Sequence, residues 1–218
     1  MNEILTILKK IYSPVQIQAN HCQNERYLHH YFSHTLQNSA HYAIKYNNLI
    51  KSPLHPEWPT RKKGYHDCGT YRHKDNLYIV DKKGSAGFID FAIGDYNEPE
   101  IAIEFTASYG WKKEEVIYDM MKLMDSRNPF QKVISYNIVF RKKALPKEST
   151  KTCANFERAI NDTLSEYQKR LKNYCEHKRK YLFWVIEIGA NQTRSWYCGN
   201  FKEVKPTDPE KFEMREPV

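Results

Sequence analysis

The chain has 218 residues, 40% of them hydrophobic and 14% aromatic, which is enough to bury a core without staples and unlike the composition of a disordered polymer. Its 34 Lys and Arg against 26 Asp and Glu give a formal charge of +8, which favours a polyanionic partner. The five cysteines are odd in number, widely spread and without a CxxC pair, and no apolar run reaches the ~18 residues of a membrane span, so a disulfide framework and a bilayer are both set aside and a soluble, cytoplasmic protein is expected.

The first element is an amphipathic helix, in which Ile4, Leu5, Ile7, Leu8 and Ile11 recur at helical spacing with Lys9 and Lys10 between them. A second helix follows Asn24, a suitable N-cap; Leu28, Tyr31, Phe32, Thr35 and Leu36 form its stripe, and Glu25 falls on the same stripe as an inward-facing acid. Residues 51–75 carry three prolines, two glycines and many Lys and Arg, and read as a long basic loop insertion. In it Arg61, Lys62, Lys63, Arg72 and Lys74 are interleaved with Tyr65 and Tyr71, a composition suited to phosphate contacts and base stacking.

A three-stranded meander is then expected over 76–81, 88–95 and 100–107. Beyond it come a helix over 112–125 with Val116, Ile117, Met120, Met121 and Met124 on one face, a strand over 132–142, a long charged helix over about 150–179, and an apolar strand beginning at Tyr181 with 194–204 pairing beside it. Residues 206–218 form a polar tail. The expected class is α/β (α+β), a single domain over 1–205 built on a central mixed sheet of about five strands flanked by helices.

Alternation in the meander carries the chemistry. Phe88, Asp90 and Ala92 share one face of their strand, and Ala102, Glu104 and Thr106 share one face of theirs. Paired as antiparallel neighbours, the strands bring Asp90 and Glu104 together. Two carboxylates at close range repel, so such a pair either shares a proton or holds a cation, and oxygen ligands favour a hard one such as Mg²⁺. No paired short-spaced ligands support structural zinc, although His66, Cys68 and His73 are close in sequence; His29, His30 and His34 lie along one helix without a metalloprotease arrangement and read as surface or packing residues.

Asp90 after a glycine-bearing turn, a hairpin, Glu104-x-Thr106 at the end of a strand, a helix containing "DMMKL" and a further strand together resemble the PD-(D/E)XK nuclease superfamily. The likeness covers about residues 20–142 and implies a restriction-endonuclease-like core of helix, three-stranded meander, helix and strand. By this resemblance Asp90 and Glu104 bind one or two divalent ions, Mg²⁺ or Mn²⁺, and Glu25 completes the site. The substrate is then a phosphodiester in DNA, and cutting both strands would imply a homodimer.

Thr106 departs from the family pattern, which wants a lysine there. Some members move that lysine to a neighbouring helix, and Lys113 is the candidate replacement, with Lys112 next and Lys122 a more distant choice. Lys112 and Lys122 are also counted among the nucleic-acid contacts. The alternatives are a decayed fold that binds nucleic acid or protein without cutting, and an interaction protein whose partner surface is the 151–179 helix.

Overall fold

A computed structural model of the chain describes residues 2–17, 25–39, 53–60, 69–145, 151–176, 178–190, 193–198 and 205–207. Two helices come first, α1 (Asn2–Ile17) and α2 (Glu25–Gln37), followed by strands β1 (Leu54–Pro59), β2 (Thr70–Lys74), β3 (Leu77–Val80), β4 (Ser85–Ala86), β5 (Phe88–Gly94) and β6 (Pro99–Tyr109). Then come α3 (Lys113–Met124), β7 (Lys132–Phe140), α4 (Lys151–Leu171), β8 (Lys180–Ile188), β9 (Thr193–Cys198) and β10 (Lys205–Thr207).

The main sheet has seven strands in the order β1-β5-β6-β7-β8-β9-β10, and β3-β2-β4 form a second, small sheet. The pair β5–β6 is antiparallel, whereas β6–β7 and β7–β8 are parallel, with α3 and α4 as their crossovers. The fold is therefore mixed α+β around a mixed sheet. Parallel strands covered on both faces need apolar side chains on both, and after their first residues β7 and β8 are buried throughout. One face packs under α1 and α2 through Leu28, Phe32, Phe105 and Tyr136, and the other under α3 and α4 through Val116, Met120, Ile160 and Phe183.

The meander differs from the expectation. Residues 77–80 do not join the main sheet but pair with β2, and the third strand beside β5 is β1, drawn from the segment read as loop. The physical reason lies in the burial patterns. β3 is half-exposed on both faces, unlike a core strand, while β1 carries Pro56 and Pro59 and can occupy only an edge. Two further differences concern ends. The long helix stops at Leu171, a short 3₁₀ turn (Lys172–Tyr174) takes the chain towards β8, and Pro206 and Thr207 belong to β10 rather than to a tail. Asn24 and residues 208–218 lie outside the described residues.

The alternation breaks at one place that matters. Phe91 and Ile93 pack on the α1/α2 side, yet Ile89 packs on the α3/α4 side. The break falls at Asp90, between the pairs Pro56↔Phe91 and Trp58↔Ile89, beside Glu57 with φ +52°. A left-handed backbone at a non-glycine residue is strained, and such positions concentrate at functional sites.

Candidate active site

The β5–β6 ladder runs from Gly94↔Pro99 to Phe91↔Ile103 and ends there. One residue further, the Asp90 carboxylate takes over the role of the missing strand: its Oδ2 accepts the Phe105 N–H at 2.7 Å. Asp90 thus sits in a fork where β5 leaves β6, reached by α2 from one side of the sheet and α3 from the other.

From α2 come Glu25, in the first turn, and His29, four residues on and hence on the same face. His29 Nε2 lies 3.2 Å from Asp90 Oδ2, and its ring meets Phe91 and Phe105 at 5.2 and 5.6 Å. Ligand atoms of Glu25, His29 and Asp90 all fall within 4.8 Å of one another.

From α3 come Asp119 and Lys122. Lys122 is 5% exposed, a burial tolerated by a lysine only when it is paired. Its Nζ lies 2.6 Å from Glu104 Oε1, 3.0 Å from Asp119 Oδ1 and 2.7 Å from the Phe88 carbonyl oxygen. The hydroxyl of Thr106 donates to Asp119 Oδ2 at 3.2 Å, so Thr106 is tied to the acid that flanks Lys122.

Four acids, Glu25, Asp90, Glu104 and Asp119, thus converge on one lysine and one histidine, and their proton affinities record the excess of negative charge. Burial raises Glu104, and the charges of Asp90 and Asp119 add to it against the opposing pull of Lys122. Burial likewise pushes Asp119 up to about 6, with Lys122 opposing and Asp90 reinforcing. Glu25 is pushed up to about 7 by burial and by the charge of Asp90, tempered by His29. Asp90 goes the other way: burial would raise it, but the hydrogen bond and charge of His29, the Phe105 amide and Lys122 hold it low. His29 is raised, since the Asp90 hydrogen bond and charge outweigh its burial, and Lys122 is raised because Glu104 and Asp119 outweigh the same penalty. Asp90 is therefore the acid that stays ionised, and Lys122 keeps its proton.

Gly87 makes room for the lysine. A Cβ there would lie 2.8 Å from both Lys122 Cδ and the Tyr118 hydroxyl. Gly87→Ala is expected to push Lys122 off the Phe88 carbonyl and to cost about 1–3 kcal/mol, the usual range for overpacking, which urea unfolding measures.

Set against the sequence expectations, Asp90 and Glu25 are brought together with His29, and Glu104, near enough to feel the Asp90 charge, lies next to them against Lys122. Lys113 is not brought to the acids: it is exposed at the start of α3, and Lys122, nine residues or roughly 13 Å further along the helix, lies against Glu104 and Asp119 instead. Being buried, Lys122 is also unavailable as a surface contact for nucleic acid. Lys112 is exposed and pairs with Glu115; Arg72 is exposed and pairs with Asp81; Lys74 is exposed on β2; Arg61, Lys62 and Lys63 lie outside the described residues. His29, read from sequence as a surface or packing residue, is in contact with Asp90, and Asp119 was missed altogether. Both had a signal, since His29 is four residues from the inward acid Glu25, and Asp119 is three residues before a lysine flanked by the buried Met121 and Leu123.

No helix among the described residues is long and apolar enough to cross a membrane. No family model matches this chain, and no curated protein or solved structure is significantly similar to it.

Proposed function

We propose that the chain is a divalent-ion-dependent nuclease of the PD-(D/E)XK kind that hydrolyses phosphodiester bonds in DNA. The observation that carries this reading is the convergence of Asp90 and Glu104 from neighbouring strands with a buried lysine, Lys122, 2.6 Å from Glu104. The order α2, β1, β5, β6, α3, β7 supports it too: a helix, three antiparallel strands, a helix and a further strand are the elements of that family's core.

The residues fit a divalent ion. Ligand atoms of Glu25, His29 and Asp90 lie within 4.8 Å of one another, near the span across an ion with bonds of about 2.1 Å, and the acids outnumber the bases. Glu25, His29 and Asp90 would hold it, His29 as a nitrogen ligand that favours Mn²⁺ over Mg²⁺, with Glu104 close by against Lys122. When bound, such an ion lowers the pKa of water and offsets charge building on phosphorus. The chain's own residues do the rest. Lys122 holds an ammonium beside Glu104, its three donors taken by Glu104, Asp119 and the Phe88 carbonyl, where its charge can counter negative charge; Thr106 and Asp119 fix that ammonium; His29 and the Phe105 amide fix the Asp90 carboxylate. A lysine supplied from α3 answers the loss of lysine at Thr106, which weakens the reading of a decayed site.

Plasmid and linear DNA incubated with Mn²⁺ or Mg²⁺ give the direct test, with cleavage expected with either ion and more with Mn²⁺. Absence of cleavage on duplex, single-stranded and branched DNA with both ions would overturn the proposal.

Proton competition supplies a second check. A carboxyl raised from 4.5 to about 7, as Glu25 is, stabilises the fold below 4.5 and loses that contribution as pH rises through 7. An ion that needs the carboxylate gains over the same interval, so the rise in melting temperature produced by Mn²⁺ is expected to be larger at about pH 8 than at about pH 5.5.

A further inference from the structure

At the other end of the sheet, where β7 and β8 finish, lies a cavity of about 430 Å³ lined by Arg141, Lys142, Lys143, Thr152, Glu187 and Arg194, among others. Four cationic side chains meet one acid there. Arg141 takes that acid, its Nε donating to Glu187 Oε1 at 2.7 Å, while Arg194 Nη1 stands 3.9 Å from the other carboxylate oxygen, too far for a hydrogen bond.

Arg194 is 6% exposed, and two of its buried nitrogens, Nε and Nη2, have no hydrogen-bond partner. A guanidinium withdrawn from water with donors unmet is costly unless an acceptor completes it. Thr152 brings in the first turn of α4, a 21-residue helix with no acid in that turn, whose dipole favours an anion.

The geometry points to this cavity as a binding site for a phosphate group, with the Arg194 guanidinium as its principal donor, the start of α4 beside it, and Lys142 and Lys143 on the rim. Guanidinium donors in a fixed fork match the oxygens of a phosphate, and the net positive lining suits its charge. The cavity stands apart from the acids. Arg194 pairs with Glu187, which follows Val139 and Ser108 across the strands, two residues beyond Thr106 along β6. By strand rise and spacing this is roughly 20 Å from Glu104 on the same face of the sheet. The ligand is thus either a phosphate of the nucleic acid remote from the scissile bond or a free phosphate compound.

Inorganic phosphate is titrated into the full chain without divalent ions, followed by calorimetry and thermal unfolding. Saturable binding that raises the melting temperature is expected, reduced about tenfold or more in Arg194→Gln, the loss of one strong bidentate contact. Lys143→Ala, at an exposed position, is expected to weaken it about threefold and keeps the test valid should the buried variant misfold. No saturable binding to the native chain, or unchanged affinity in the folded variants, overturns the site. Single-stranded oligonucleotides with and without a 5′-phosphate identify the source: a preference for the phosphorylated strand that Arg194→Gln removes assigns the site to nucleic acid, and phosphate binding without that preference assigns it to a free phosphate compound. Because no divalent ion is present, failure of the nuclease reading leaves these results unchanged.

Discussion

Lys122→Met is expected to destabilise the fold by about 3–5 kcal/mol, the cost of leaving buried carboxylates without their counter-charge. The methionine fills nearly the same volume among Met121, Leu123 and Tyr118, so the loss reports charge rather than a void. Glu104 and Asp119 would lose the ammonium at 2.6 and 3.0 Å and the Phe88 carbonyl its donor. The pH dependence has a definite sign. Both carboxyls already sit above their ordinary values, Asp119 at about 6, and without the lysine they rise further. A raised carboxyl stabilises the fold below its unfolded value and loses that contribution as pH climbs through the folded one, so the variant should lose more at about pH 8 than at about pH 5. Chemical unfolding at the two pH values measures this, and an equal deficit at both would show that the pairing is not electrostatic.

Asp90→Asn and Glu104→Gln are each expected to lower divalent-dependent cleavage about 10³-fold, equivalent to roughly 4 kcal/mol of transition-state stabilisation. The two changes are nearly isosteric, and asparagine keeps an oxygen for the Phe105 amide, so circular dichroism should remain native. Binding of Mn²⁺ should weaken in parallel, most in Asp90→Asn, because Asp90 is the acid of the cluster whose proton affinity is lowered. Undiminished cleavage in both variants would remove the basis for assigning the chemistry to this fork.

Much of this arrangement was legible in the sequence because it rests on periodicity. The apolar stripe of α2 placed Glu25 inward and the strict alternation of β6 placed Glu104 on the face that meets α3, whereas the matching alternation expected of β5 breaks at Asp90, which takes the Phe105 amide and His29 instead. What escaped depends on tertiary context. β1 hid behind prolines that are tolerated only because the strand lies at the rim of the sheet. Lys113 stood where the stripe of α3 pointed to it, but the helix begins there in solvent. Lys122, next to Met121 and Leu123, is enclosed by Glu104, Asp119, Tyr118 and the Gly87–Phe88 backbone, a burial no helical wheel reports. Arg194 likewise gave no local signal, since its surroundings are assembled from β7, β8 and α4.

The prolines of β1 have a further effect. A sheet margin normally offers a row of free amides to which another chain can add, the route to fibrils and to continuous sheets across subunits. Here Pro56 and Pro59 have no amide hydrogen, and Glu57, with φ +52°, turns the backbone out of line between them. That margin is therefore closed to strand addition, so no second copy of this chain can continue the main sheet through β1.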